Sequence, residues 1–177
     1  KLLPTMKLVT FSGYAGVGKN TAADIVVPIF GGKQYAFATR LKQLCYHLNP
    51  LIKYLVDLYG WEETKKFIGV REFLIDTSER AMKPTFGQDF WARQLEPDLD
   101  FAGSCWITDL RFEQEALWST RMGGFNIRIT RNGVGPVHPS EDMKWEPDVT
   151  VENNGSLLDF RKALVSVLSR AFGRADL

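Results

Sequence analysis

The segment Gly13-Tyr14-Ala15-Gly16-Val17-Gly18-Lys19 constrains this chain more than any other. It follows a β-prone run, Lys7–Ser12, and opens a helical stretch that begins near Lys19. Spacing and setting are those of a phosphate-binding loop. Glycines let the backbone curl so that successive N–H groups face one point. The helix N-terminus adds partial positive charge there. A lysine at the end of the loop reaches the β- and γ-phosphates. Gly13, Ala15, Gly16, Gly18, Lys19, Asn20 and Thr21 are therefore the candidate nucleotide-binding residues, with Lys19 also catalytic. The competing reading is a flexible turn with a solvated lysine. Where the strict motif has Ser or Thr to ligate Mg²⁺, this chain has Asn20. An amide oxygen can serve a hard cation directly or through water. Thr21 is better placed for an α- or β-phosphate.

Strands and helices alternate along the chain. A helix from about Lys19 to Val27 is closed by Pro28 and Gly31-Gly32. Gln34–Ala38 reads as a second strand, with Thr39 as cap of the next helix. Asn49-Pro50 interrupts that helix, and another runs from Leu51 to Tyr59. Residues 61–96 read as helical pieces broken at Pro84 and Gly87. Strands follow at Cys105–Thr108, Phe125–Thr130 and Asp148–Val151, with a helix at Glu113–Met122. The last helix places Leu157, Leu164, Leu168 and Phe172 on or near one face. This order predicts an α/β fold of three layers. A five-stranded parallel sheet has helices on both faces, with a helical insertion between strands two and three. The expected organisation is one domain over 6–172, with Met6 as the natural start, a helical region at 39–103 and a lid-like loop at 131–147.

The 177 residues hold 22 Lys+Arg and 21 Asp+Glu, which argues against binding to a nucleic-acid polymer. Yet residues 1–53 carry seven basic side chains and one acid, Asp24, so the first third has reason to meet anions. Cys45 and Cys105 form no metal or redox pattern and suit a reduced, cytoplasmic protein. No apolar run approaches the length of a membrane span.

Asp109 ends the third strand, where ligands gather in open α/β sheets. It is a candidate for holding Mg²⁺ or its waters, together with Asn20; the alternative is a capping Asp. Arg111 either grips a phosphate or pairs with Glu113 or Glu115. Arg128 and Arg131 bracket the end of strand four. Arg131 is the candidate for covering a transferring phosphoryl group, while Arg128 alternates with Ile127 and Ile129, a pattern that equally suits an outward-facing side chain. Arg40 and Lys42 suit a second phosphate or a solvated helix face. His47 and His138 lack metal spacing; His47 reads as packed in a helix, and His138 lies beside Ser140-Glu141 within reach of substrate. Trp91 or Phe86 either stacks on a base or packs in a core.

With these pieces placed, the chain resembles the deoxynucleoside monophosphate kinases of bacteriophages. Gly13–Thr21 with Ala22-Ala23-Asp24 is similar to the family's GKDT-x-AD, with Asn20 for its Asp. Ala36–Lys42 resembles FAD-x-LK, with Thr39 for its Asp. Phe86–Trp91 resembles FG-x-DFW, Thr108–Glu115 resembles TD-x-RF-x-x-E, and His138–Glu141 resembles H-x-SE. Asp148–Gly155 is similar to the terminal D-x-x-x-x-N-x-G. The resemblance implies γ-phosphoryl transfer from ATP to a deoxynucleoside 5′-monophosphate, with Mg²⁺. It implies catalytic roles for Lys19, Asp109, Arg111 and Arg131. Acceptor binding falls to Arg40, Lys42, Trp91, Arg111, Ser140 and Glu141. Asn153 and Gly155 lie in the turn where related kinases hold adenine. A different small-molecule kinase of this fold, such as a dephospho-coenzyme A kinase, is the alternative, followed by a nucleotide switch; no N-K-x-D guanine motif occurs. A homodimer through the helical insertion stays open, although no unpaired apolar stripe stands out.

Overall fold

All five residues of β1 (Leu8–Ser12) are buried, as expected for a parallel strand covered on both faces. The structure, a computed structural model, describes residues 8–137 and 143–173. It divides into two compact units, 37–97 and the remainder.

The larger unit is a five-stranded parallel sheet in the order β2-β3-β1-β4-β5. Its strands are β1, β2 (Lys33–Tyr35), β3 (Cys105–Leu110), β4 (Phe125–Thr130) and β5 (Val149–Glu152). Helix α1 (Lys19–Phe30) follows β1. Val9, Phe11, Trp106, Ile127, Ile129 and Val151 pack with Ala22, Val26, Phe160, Leu164 and Leu168 into one core. Those helical residues belong to α1 and to α8 (Leu157–Ala171), the last helix. Helix α7 (Glu113–Arg121) packs against β4 and β1. Helices thus cover both faces. After β3 the chain passes β1 to form β4, so the C-terminal end of β1 lies at a topological switch point, where open sheets bind ligands.

Local expectations shift at several places. Pro28 lies inside the last turn of α1, which runs on to Phe30. A proline there leaves the Asp24 carbonyl without a helical partner, and Asp24 is exposed to water. The second strand is Lys33–Tyr35 rather than Gln34–Ala38. Leu157 is exposed, and Phe160 takes its place in the core. Ser156 caps α8 by accepting from Asp159 N at 3.2 Å, and Asp159 Oδ2 accepts from Ser156 N at 3.0 Å.

The second unit is helical. It contains α2 (Ala38–Leu48), α3 (Pro50–Thr64), α4 (Val70–Ile75), a π-helical turn (Asp76–Met82), α5 (Lys83–Phe86) and α6 (Phe90–Leu95). Thr39 lies inside α2, whose N-cap is Phe37. Asn49 caps α3 instead, accepting from Leu51 N and Ile52 N at 3.1 Å each. Helix α3 continues past Tyr59 to Thr64, with non-helical backbone at Gly60. Pro84 does not break the run from Val70 to Phe86; it occupies the first turn of α5, directly after the π turn. Gly87, with φ 106°, does end it. Cys45, Ile52, Leu55, Val70 and Leu74 form this unit's core.

Candidate active site

The loop between β1 and α1 is held open by backbone geometry. Gly13 has φ 137°, and a Cβ there would collide with the Ile129 carbonyl oxygen. Gly18 is the N-cap of α1 at φ 110°, with no side-chain cap and no acid in the first turn. The first N–H groups of α1 therefore have no side-chain cap, the arrangement that binds anions. Val17 is fully buried and anchors the loop to the core. Its carbonyl accepts from Asn153 Nδ2 at 2.8 Å, so the turn after β5 is tied to the loop. Lys19 Nζ donates to Gly13 O at 2.6 Å and Tyr14 O at 2.8 Å, which curls the lysine back over the loop. Asn20 and Thr21 are exposed on the first turn of α1.

Asp109 is the penultimate residue of β3, beside the end of β1. Pairing runs from Thr10↔Ile107 to Ser12↔Leu110, so β3 carries one extra residue in the span that contains Asp109. Such a bulge re-aims side chains at sheet ends. Arg111 follows directly. Its N–H and that of Phe112 both donate to Glu115 Oε2 at 3.1 Å. Glu115 is only 3% exposed. The Glu115 carboxylate thus serves the backbone of this corner.

Arg128 does not simply face outward. Its guanidinium lies 4.6 Å from the Trp145 ring centroid and donates to the Trp145 carbonyl oxygen. Partial burial pushes its pKa below the ordinary arginine value. The Trp145 indole N–H donates to Arg111 O at 3.3 Å. One tryptophan thereby links β4 to the corner after β3. No motif marked it: Trp145 stands in a loop rich in proline and charge, and its partners are distant in sequence. Arg131 is exposed where that loop leaves β4. Asn132 N donates to Asn154 Oδ1 at 2.7 Å, docking the loop's start on the 153–156 turn. Ser140, Glu141 and His138 lie outside the described residues.

The structure thus gathers Gly13–Thr21, Asp109, Arg111, Arg128, Asn153 and Gly155 in the sheet unit, at or just beyond its C-terminal edge. Arg131 begins the loop that leaves the same edge. Arg40, Lys42 and Trp91 belong to the helical unit. There Arg40 donates to Gln43 Oε1 at 3.0 Å, and Lys42 Nζ lies 5.8 Å from the Trp61 ring centroid. Trp91 is 5% exposed, and its indole N–H donates to Ser78 Oγ at 2.8 Å. It packs in a core rather than offering a free stacking face; Phe86, 53% exposed, is the more accessible aromatic. His47 is exposed at the end of α2, edge-on to Tyr46. Both cysteines are buried and free, and desolvation raises their pKa values.

Among the described residues, no group of three or more His, Cys, Asp or Glu could hold a metal by itself. A hard cation at Asn20 and Asp109 would share its oxygen ligands with phosphate and water, which suits Mg²⁺. No helix among the described residues is long and apolar enough to cross a membrane.

Fold and loop together define a three-layer α/β protein with a five-stranded parallel sheet and a glycine-rich, phosphate-binding type of loop between β1 and α1. No family model matches the chain. It is 28% identical over 193 residues to a protein of Acanthamoeba polyphaga mimivirus named "Putative deoxynucleotide monophosphate kinase", covering 94% of this chain and 98% of that one. A gluconokinase from Sinorhizobium meliloti 1021 matches in structure with a TM-score of 0.51 at 11% identity, over 96% of this chain and 95% of the other. Shikimate kinase from Aquifex aeolicus vf5 matches at 0.50 and 13%, over 93% and 98%. At such identities the structural matches speak to the fold.

Proposed function

We propose that this chain is an ATP-dependent kinase that moves the γ-phosphoryl group to a deoxynucleoside 5′-monophosphate. The observation that carries the reading is the glycine-locked loop, with Lys19 at the uncapped N-terminus of α1. The named mimivirus relative supports the acceptor class.

Attacking and donor groups are both phosphates, so the chain need not supply a strong base. Positioning and charge neutralisation carry the chemistry. The loop amides and Lys19 hold the donor phosphates; Lys19 exchanges two carbonyl partners for phosphate oxygens as it does so. Mg²⁺, held by Asp109 and Asn20 directly or through water, would neutralise charge on the donor phosphates. Arg111, its backbone fixed by Glu115 and Trp145, meets a phosphate at the β3 corner. Arg131 covers the transferring group from the start of the loop. Arg40 and Lys42 contribute to recognition of the acceptor phosphate. The Asn153–Gly155 turn contributes to the adenine side. Buried thiols suit a reducing compartment such as the cytoplasm.

The test is ADP release with ATP, Mg²⁺ and each of the four deoxynucleoside monophosphates, alongside dephospho-coenzyme A, shikimate and an acceptor-free control. At least one deoxynucleotide should be turned over, and Lys19→Ala should lower kcat by about 10³-fold. Turnover of another acceptor alone would assign a different kinase. Hydrolysis without acceptor would favour a switch.

A further inference from the structure

Arg128 is a half-buried cation to which the sheet unit gives no carboxylate. Ile127 and Ile129 pack in the core on one face of β4, which puts Arg128 on the other. In register it pairs with Ser12, the residue directly before Gly13 of the loop. Tyr14, inside that loop, and Glu146 lie near enough to act on its charge. Yet among the described residues no carboxylate forms an ion pair with it. Its one hydrogen bond there goes to the Trp145 carbonyl oxygen, beside the Trp145 ring. Its Nε is buried and has no hydrogen-bond partner. Taking a cation out of water costs free energy unless a partner offsets it. Lys83, 2% exposed in the helical unit, has that partner in Glu79 at 3.1 Å.

The surroundings of Arg128 are themselves rich in positive charge. Lys19 closes the loop, and the uncapped N-terminus of α1 adds its partial charge. Trp145 ties the Arg128 strand to the corner that carries Arg111, since its indole N–H donates to Arg111 O at 3.3 Å. Cations gathered at one sheet edge repel each other, and an anion relieves that repulsion. A guanidinium matches phosphate oxygens with paired N–H groups. We propose that Arg128 binds a phosphate group of a nucleotide held at this edge, so that its counter-ion is the ligand and not a side chain. The proposal rests on the kinase reading for the nucleotide and adds a binding residue to that site. Trp145, by ring and carbonyl, keeps the guanidinium beside the loop.

The test reads binding and stability without turnover. Titration calorimetry compares wild type, Arg128→Met and Arg128→Lys with inorganic pyrophosphate, with ATP and Mg²⁺, and with each deoxynucleoside monophosphate. Arg128→Met should bind at least one of these ligands about 10-fold more weakly, the loss of a charge-assisted hydrogen bond. Loss confined to ATP places Arg128 on the donor phosphates, and loss confined to a monophosphate places it on the acceptor. Without ligand, Arg128→Met should melt no lower than wild type, because it removes an unpaired charge and leaves an apolar chain against Trp145. If it does melt lower, Arg128→Lys decides: recovered affinity keeps the proposal, and none recovered marks a structural prop and overturns it. Wild-type affinity of Arg128→Met for every ligand also overturns it. Turnover is scored apart. A wild type that binds through Arg128 yet phosphorylates nothing sinks the kinase reading alone; a working kinase whose binding ignores Arg128 sinks this proposal alone. A wild type that binds none of the ligands overturns both.

Discussion

The two units satisfy their polar side chains differently. In the sheet unit, side chains bond to loop backbone: Asn153 to Val17 O and Trp145 to Arg111 O across long stretches of sequence, and Glu115 to two N–H groups just before it. In the helical unit, side chains bond mostly to one another over short separations. Trp91 donates to Ser78, Ser78 to Glu79, and Glu79 pairs with Lys83. Tyr46, Lys53 and Asp57 form a second such set. The physical reason is that helices satisfy their own backbone, whereas loops at a sheet edge cannot. Side-chain clamps on loop backbone hold that edge in a fixed shape, and a phosphate site needs backbone N–H groups already in place.

Substitutions can break this contrast, beginning where the effect should be largest. Gly13→Ala forces a Cβ into the Ile129 carbonyl at positive φ and should cost about 4 kcal/mol in urea unfolding. Gly16→Ala, with φ 83° but open space, should cost only about 1 kcal/mol. Equal costs would mean that the loop yields, against the fixed edge argued here. In the helical unit, Glu79→Leu removes the carboxylate paired with Lys83, a cation 2% exposed, and should cost about 3 kcal/mol. Glu79→Leu combined with Lys83→Met should stay within about 1 kcal/mol of wild type, because apolar chains then replace both members of the pair.

Smaller effects sharpen the same comparison. Trp145→Phe keeps a ring for Arg128 but loses the indole N–H to Arg111 O, and should cost about 1 kcal/mol of stability. A wild-type melting curve for that variant would show the clamp to be dispensable. The smallest expected effect is at α8, where Ser156→Ala should cost about 1 kcal/mol or less. Hydrogen bonds from Ser156 lower the Asp159 pKa below its ordinary value. A lowered folded-state pKa gives stabilisation that is present above the unfolded carboxylate value and lost as pH falls through the folded one. The difference in Tm between wild type and Asp159→Asn should therefore be present at neutral pH and vanish in acid.

Local signals carried much of this reading. The loop from Gly13 to Lys19 was legible because turn glycines and a following helix act within a few residues. The end of the Glu113–Met122 helix was legible for the same reason, as the glycine that follows it, Gly123, takes φ 73°. Pro84 misled because the usual rule puts a break at proline, whereas here the chain enters it from a π turn. Trp91 read as a stacking candidate because aromatic content does not say which face is covered. In the sequence Leu51, Tyr54 and Leu58 on α3 look like core, but Ile52 and Leu55 fill that role and the other three are exposed.

The sequence by itself determined the order of strands and helices, the phosphate-binding loop and the helical insertion, since each rests on periodicity or on φ preferences of nearby residues. Tertiary structure alone decided the bulge beside Asp109, the Glu115 carboxylate under Arg111, the Trp145 clamp and the tie from Asn153 to Val17. Most of these join groups far apart in the chain, and such pairings follow from sheet order and register, which no local pattern encodes.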